Sequence, residues 1–114
     1  MNKAIQEKSF RFAVRIVNLC KYLQNETHEY ILYKQLFRCG TSIGANVAEA
    51  QQAQSRADFL SKLNIALKEA YETDYWLRLL SETQYLTDDA FQSIITDCHE
   101  IEKLLISIIK TTKE

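Results

Sequence analysis

Hydrophobic positions recur at helical spacing in four successive stretches of this chain, and one stretch stands apart. From Gln35 to Ala53 it reads QLFRCGTSIGANVAEAQQA, with two glycines and only two charged residues. At about 100° per residue, Leu32, Leu36, Cys39, Ile43, Val47 and Ala50 form a core stripe. Gly40, Gly44 and Ala48 follow at i, i+4 and i+8 along a neighbouring line. Glycine inside a helix costs roughly 1 kcal/mol relative to alanine. Two in one helix therefore point to a line where bulk is excluded and another backbone comes close. Tight packing within the chain and contact with another subunit both meet that demand. Small residues four apart also mark membrane helices, but Arg38 and Glu49 argue against a membrane span.

The other side of this helix carries Gln35, Arg38, Ser42, Asn46 and Glu49, spaced 3, 4, 4 and 3 apart. That is a polar seam at coiled-coil-like spacing. Arg38 and Glu49 lie about 16 Å apart along one helix, too far to pair with each other. Each is expected to meet a partner from another helix or chain, because an unpaired buried charge is costly. A mildly polar surface, a buried hydrogen-bond network or subunit contact, and a ligand or nucleic-acid site are the readings open here.

The remaining stretches predict three more helices. The first spans 3–24, with Ile5, Phe12, Ile16, Leu19 and Leu23 on one face, widened by Ala13, Val17 and Cys20. An apolar arc that wide touches two neighbours, as in a bundle. Asn25 is expected to end this helix in a left-handed conformation, and Thr27 to cap the next, which spans 28–53. Ser55 and Asp58 form a variant capping box for a third helix over 56–83, whose stripe is Phe59, Leu63, Ala66, Ala70, Thr73 and Leu77. Its small middle residues are placed opposite the glycine line of helix 2. The same helix bears a second apolar group, Ile65, Trp76 and Leu79, among Glu69 and Glu72 and flanked by Tyr71 and Tyr75. Aromatic residues are enriched at interfaces, so this group fits either a subunit contact or a broad core. Thr87, with Asp88 and Asp89, opens a fourth helix over 88–110. Its seam, Phe91, Ile94, Cys98, Ile101, Leu105 and Ile108, steps 3, 4, 3, 4, 3. The connections are short, so successive helices are antiparallel neighbours. The expected fold is all-α: one domain over 1–114, an antiparallel up-down-up-down four-helix bundle.

QLFRCGTSIGANVAEAQQA, followed by DFLSKLNIALKEAYETDYWLRLL, resembles the bacterial four-helix bundle protein family. That family includes proteins encoded in intervening sequences of large-subunit (23S) rRNA genes, and is related to the accessory variability protein of diversity-generating retroelements. The resemblance covers nearly the whole chain, and SIGANVAEA and ETDYWL are its most specific parts. It implies a bundle that assembles as a ring-shaped homopentamer, without established catalytic activity. Nucleic-acid association is suspected for the basic retroelement members.

Composition narrows the functional classes. Proline is absent and there are only two glycines in 114 residues, which favours long helices over a turn-rich β fold. The net charge of −1 weakens a general nucleic-acid reading, which normally needs a basic footprint. Charge is unevenly spread, however: residues 1–57 are net +4 and residues 58–114 net −5. Lys8, Arg11 and Arg15 form a basic stripe at i, i+3 and i+7 on helix 1. With Arg38 it is the candidate nucleic-acid contact. Asp97, Glu100 and Glu102 colour helix 4 acidic and are expected to be solvated or paired with the basic first half. Cys20, Cys39 and Cys98 sit at apolar positions and read as small buried hydrophobes. The segment MNKAIQEKSF lacks a secretory apolar region, so the expected location is cytoplasmic, without a membrane.

No catalytic motif emerges. Bundle di-iron sites use Glu-x-x-His on two helices. Three residues before His28 stands Asn25, and three before His99 stands Thr96. There is no Walker loop, dinucleotide fingerprint or HExxH, and no cofactor or metal is assigned. The expected function is that of a non-enzymatic oligomeric scaffold or accessory protein with a protein or nucleoprotein partner. Its candidate subunit interface or polar network is Gln35, Arg38, Ser42, Asn46, Glu49, Glu72, Tyr71 and Trp76. Direct RNA or DNA binding through the helix 1 stripe is the alternative.

Overall fold

A computed structural model describes residues 3–114 as four helices: α1 (Lys3–Asn25), α2 (Leu32–Ala50), α3 (Arg56–Glu82) and α4 (Asp88–Lys113). Each helix packs on the next, and α1 also meets α4, while the diagonal pairs stand farther apart. The result is an antiparallel four-helix bundle, 44 Å long and about 20 Å across.

The caps explain where the helices begin and end. Ser55 Oγ accepts from the Asp58 N–H at 3.0 Å, and the Asp58 carboxylate accepts from the Gln54 N–H at 3.2 Å. Thr87 Oγ1 accepts from the Ala90 N–H at 3.2 Å, with Asp88 and Asp89 in the first turn of α4. The first corner differs from expectation. Thr27 belongs to the end of α1, its hydroxyl donating to the Leu23 carbonyl at 2.7 Å. The left-handed residue is His28, at φ 56°, whereas Asn25 is helical. Buried Glu29 then caps α2 in place of Thr27, accepting from the N–H groups of Ile31, Leu32 and Tyr33 at 2.8–3.2 Å. This carboxylate at a helix N-terminus satisfies donors that otherwise lack partners, and it delays the start of α2 to Leu32. At the other end, Gln51, Gln52 and Ala53 bond three residues back, to Ala48, Glu49 and Ala50. The tightened turn ends the helix at Ala50 rather than Ala53.

The predicted stripes make the core. Ile5, Phe12, Ile16 and Leu23 meet Leu36, Ile43 and Val47, then Leu63, Ala66, Ala70 and Leu77, then Cys98, Ile101 and Leu105, all essentially sealed from solvent. Each large aliphatic or aromatic side chain buried this way contributes about 1.5–3 kcal/mol. Leu19, Leu32 and Phe59 lie at the core margin. On α4 the buried residue at the far end is Ile109, while Ile108 and Phe91 lie at the margin. A straight helix turns every 3.6 residues, so a strict 3.5-residue seam drifts around it.

The glycines face α1. A Cβ on Gly40 would lie 2.8 Å from Cγ1 and Cγ2 of Ile16, and one on Gly44 would lie 3.1 Å from the Ser9 carbonyl oxygen. The expected partner, the alanine-rich middle of α3, instead admits α4: Cys98 Sγ lies 3.5 Å from the Ala70 carbonyl oxygen.

Candidate functional site

Three polar constellations lie on three seams of the bundle. The first is on α1 and α4. Lys8 Nζ pairs with Glu100 at 3.2 Å, and Arg15 with Asp97 at 2.6 Å, while Arg15 also donates to the Ser93 hydroxyl at 3.0 Å. Two carboxylates of α4 thus neutralise two of the three stripe cations. Arg11, Phe12, Asp97 and Ile101 line a groove of about 340 Å³ between the helices. All four charged side chains of these pairs remain substantially exposed.

The second constellation joins α2 to α3. Arg38 lies against Glu72 and 3.4 Å from Glu69, and reaches Gln35 Oε1 at 3.5 Å. The Trp76 indole N–H donates to the same Glu72 oxygen at 3.0 Å. Burial raises the Glu69 carboxyl; the Arg38 charge opposes that and Glu72 adds to it. Glu49 pairs with Lys62 at 3.1 Å, so both charges of the helix 2 seam meet α3. Ser42 and Asn46 bond back to the carbonyls of Arg38 and Ser42 at 2.5 and 2.8 Å. Tyr71 is not part of this network. It stands five residues before Trp76, about 140° around the helix, and is half-exposed beside Tyr75 on the outside of α3.

The third constellation went unseen in the sequence. Asp74 on α3 meets His99 and Glu102 on α4. His99 Nε2 lies 3.1 Å from Asp74 Oδ2, and Arg78 Nε donates to Asp74 Oδ1 at 2.9 Å. Glu102, expected to be solvated or paired with the basic first half, is buried, with Cys98 Sγ donating to it at 3.5 Å. Burial pushes its carboxyl up to about 7, reinforced by the hydrogen bond and charge of Asp74. Burial also raises Asp74, but its hydrogen bonds with Glu102 and Arg78, with the charges of His99 and Arg78, leave it below the ordinary range. Of the two, Asp74 ionises first and Glu102 keeps its proton to higher pH. Di-iron bundles place Glu three residues before His. Here Glu follows His by three, a spacing that equally places both on one helical face.

The cysteines fit their packing role. Burial pushes the Cys20 thiol up to about 12 and Cys39 up to about 11, and raises Cys98 further. Thiols held this firmly protonated are poor nucleophiles. No helix among the described residues is long and apolar enough to cross a membrane.

The profile of the 23S rRNA-intervening sequence protein family matches residues 1–107. Among solved structures, the chain resembles a protein of unknown function from the S23 ribosomal protein family of Bacteroides thetaiotaomicron VPI-5482, with a TM-score of 0.92 and 63% sequence identity. The match covers 93% of this chain and 98% of that one. No curated protein matches significantly.

Proposed function

The chain belongs to the 23S rRNA-intervening sequence protein family, and on that premise we propose that it acts without catalysis, as a self-assembling scaffold whose copies meet around the outward face of α2. One observation carries this reading: large apolar side chains stand exposed on both flanks of that helix. Phe10 is 70% exposed and Phe37 45% on the α1 side, and Ile65 is 40% exposed on the α3 side. Phe10, Gly44, Val47 and Ala48 line a shallow hollow of about 180 Å³, the size of a side-chain socket.

The outer surface of α2 between the flanks is nearly free of charge. Of its three charged side chains, Arg38 and Glu49 already have partners on α3, and only exposed Lys34 is left for a second copy to meet or leave in water. The two flanks differ in shape and chemistry. A copy presenting one to the other makes a head-to-tail contact, the kind that closes into a ring when the rotation permits. A five-membered ring is the number that the family resemblance implies.

Two variants and one binding series test the reading. Phe37→Asp and Ile65→Asp each place a charge on one flank without touching the core. Both are expected to lower the native mass while circular dichroism stays unchanged. A native mass indifferent to both would remove the α2 surface from the account. The family name makes 23S rRNA the nucleic acid to offer. With Lys8 and Arg15 held by carboxylates, binding at low salt is expected to be weak. Tight binding that falls steeply with salt and is lost in Lys8/Arg11/Arg15→Ala would establish direct RNA contact instead.

A further inference from the structure

Asp74, His99 and Glu102 have no part in the assembly reading, yet they converge where α3 meets α4. Each offers one ligand atom, and these atoms lie within 4.8 Å of one another. We propose that Asp74, His99 and Glu102 form a binding site for a divalent transition-metal ion of the zinc class, which ties α3 to α4.

One imidazole nitrogen with two carboxylate oxygens is a donor set suited to Zn²⁺ or Co²⁺, whereas Mg²⁺ and Ca²⁺ favour oxygen-only shells. Metal–ligand bonds of roughly 2.0–2.2 Å in a tetrahedral shell place donors about 3.3 Å apart. His99 Nε2 and Asp74 Oδ2 are already 3.1 Å apart, and Glu102 comes from the same face of α4, one turn past His99. Asp74 is also held in place. Its Oδ1 accepts from Arg78 at 2.9 Å, which leaves Oδ2 for an ion and supplies the outer hydrogen bond that ligating carboxylates usually have. Depth is favourable as well. Glu102 is buried whereas His99 is half-exposed, so an ion at the core margin would have three protein ligands and a fourth position facing water.

Charge supplies an independent argument. Two carboxyl groups converge at the edge of the core. A divalent cation between them offsets the repulsion of their like charges. Arg78 is the one permanent cation beside the pair, and it sits on the far oxygen of Asp74. Cys98 lies behind Glu102 as a hydrogen-bond donor to it and stays outside the donor set.

The test uses the untagged full chain, freed of metal by chelation and titrated with Co²⁺. Visible absorption reports the coordination, and calorimetry gives the stoichiometry. One Co²⁺ per chain is expected. Zn²⁺ should displace the cobalt, and excess Mg²⁺ should not. His99→Asn and Glu102→Gln should each abolish the cobalt spectrum with the helical signal intact, while His28→Ala leaves it unchanged. Arg78→Gln should weaken binding about 10–100-fold. No saturable binding, or binding that survives His99→Asn, would overturn the proposal.

Discussion

Helix α1 has two neighbours and meets them in opposite ways. Against α2 it comes close enough that Ile16 and the Ser9 carbonyl occupy the space a Cβ on Gly40 or Gly44 would need. Against α4 it stands off across a groove, bridged by Lys8–Glu100 and Arg15–Asp97. The first seam is closed and set by shape; the second is open and bridged by charge. Shape complementarity is unforgiving because packed interiors have no slack, whereas exposed ion pairs contribute little because water and salt compete for both partners. The seam that closes the bundle should therefore tolerate change, whereas bulk added against Ile16 on the glycine seam should not be tolerated.

The largest effect is expected at Gly40. Gly40→Val forces methyl groups into Ile16, a β-branched side chain with few rotamers to escape to. It should cost about 3 kcal/mol by chemical denaturation; a loss under about 1 kcal/mol would mean that the seam is looser than it looks.

Next is Glu102, where polar groups are buried rather than bridged at the surface. A carboxyl whose folded value is raised to about 7 favours the fold while protonated. That contribution is full below the ordinary carboxylate value and is lost as pH rises through about 7. Asp74, held low, works the other way: its contribution is present above the ordinary value and lost only in acid. Between pH 5 and 8, in chelator, stability should therefore fall with rising pH. Glu102→Gln keeps a donor toward Asp74 without the charge. It should flatten that slope and raise stability at pH 8 by on the order of 2 kcal/mol. A slope unchanged by the substitution would place the titration elsewhere.

Smaller still is Arg15→Ala on the charged seam, expected to cost less than about 1 kcal/mol, with the difference fading in high salt. A loss as large as that at Gly40 would erase the contrast between the seams. Gly44→Ala should come out smallest, within about 1 kcal/mol of zero. There the helix gains propensity, which offsets the few tenths of an ångström by which the Ser9 backbone must give to a Cβ 3.1 Å from its carbonyl oxygen.

Much of this architecture was legible in the sequence, because periodicity and caps act locally. Apart from Leu19, Leu32 and Phe59 at the core margin, the core stripes of α1, α2 and α3 and the caps Ser55 and Thr87 stand where spacing placed them. The misplaced features depend on contacts between distant residues. Glu29 sets the start of α2 through a buried carboxylate that looks like an ordinary first-turn acid in sequence. Which helix the glycines face follows from the handedness of the bundle, which spacing along one helix does not report. The basic stripe and polar seam were legible as faces. That Lys8 and Arg15 meet α4 carboxylates, and that Trp76 shares Glu72 with Arg38, depends on how the helices are aligned. The Asp74–His99–Glu102 cluster was hidden for the same reason, since its acid on α3 lies 25 residues before the histidine.

Self-assembly is the central claim, and the native mass tests it most directly. Light scattering behind a sizing column, run on wild-type protein at several micromolar concentrations, should give a whole-number multiple of the 13.3 kDa chain, with five expected from the family resemblance. That mass should fall in Phe37→Asp. A steady 13.3 kDa at every concentration would contradict the claim and leave the exposed side chains flanking α2 for a different partner.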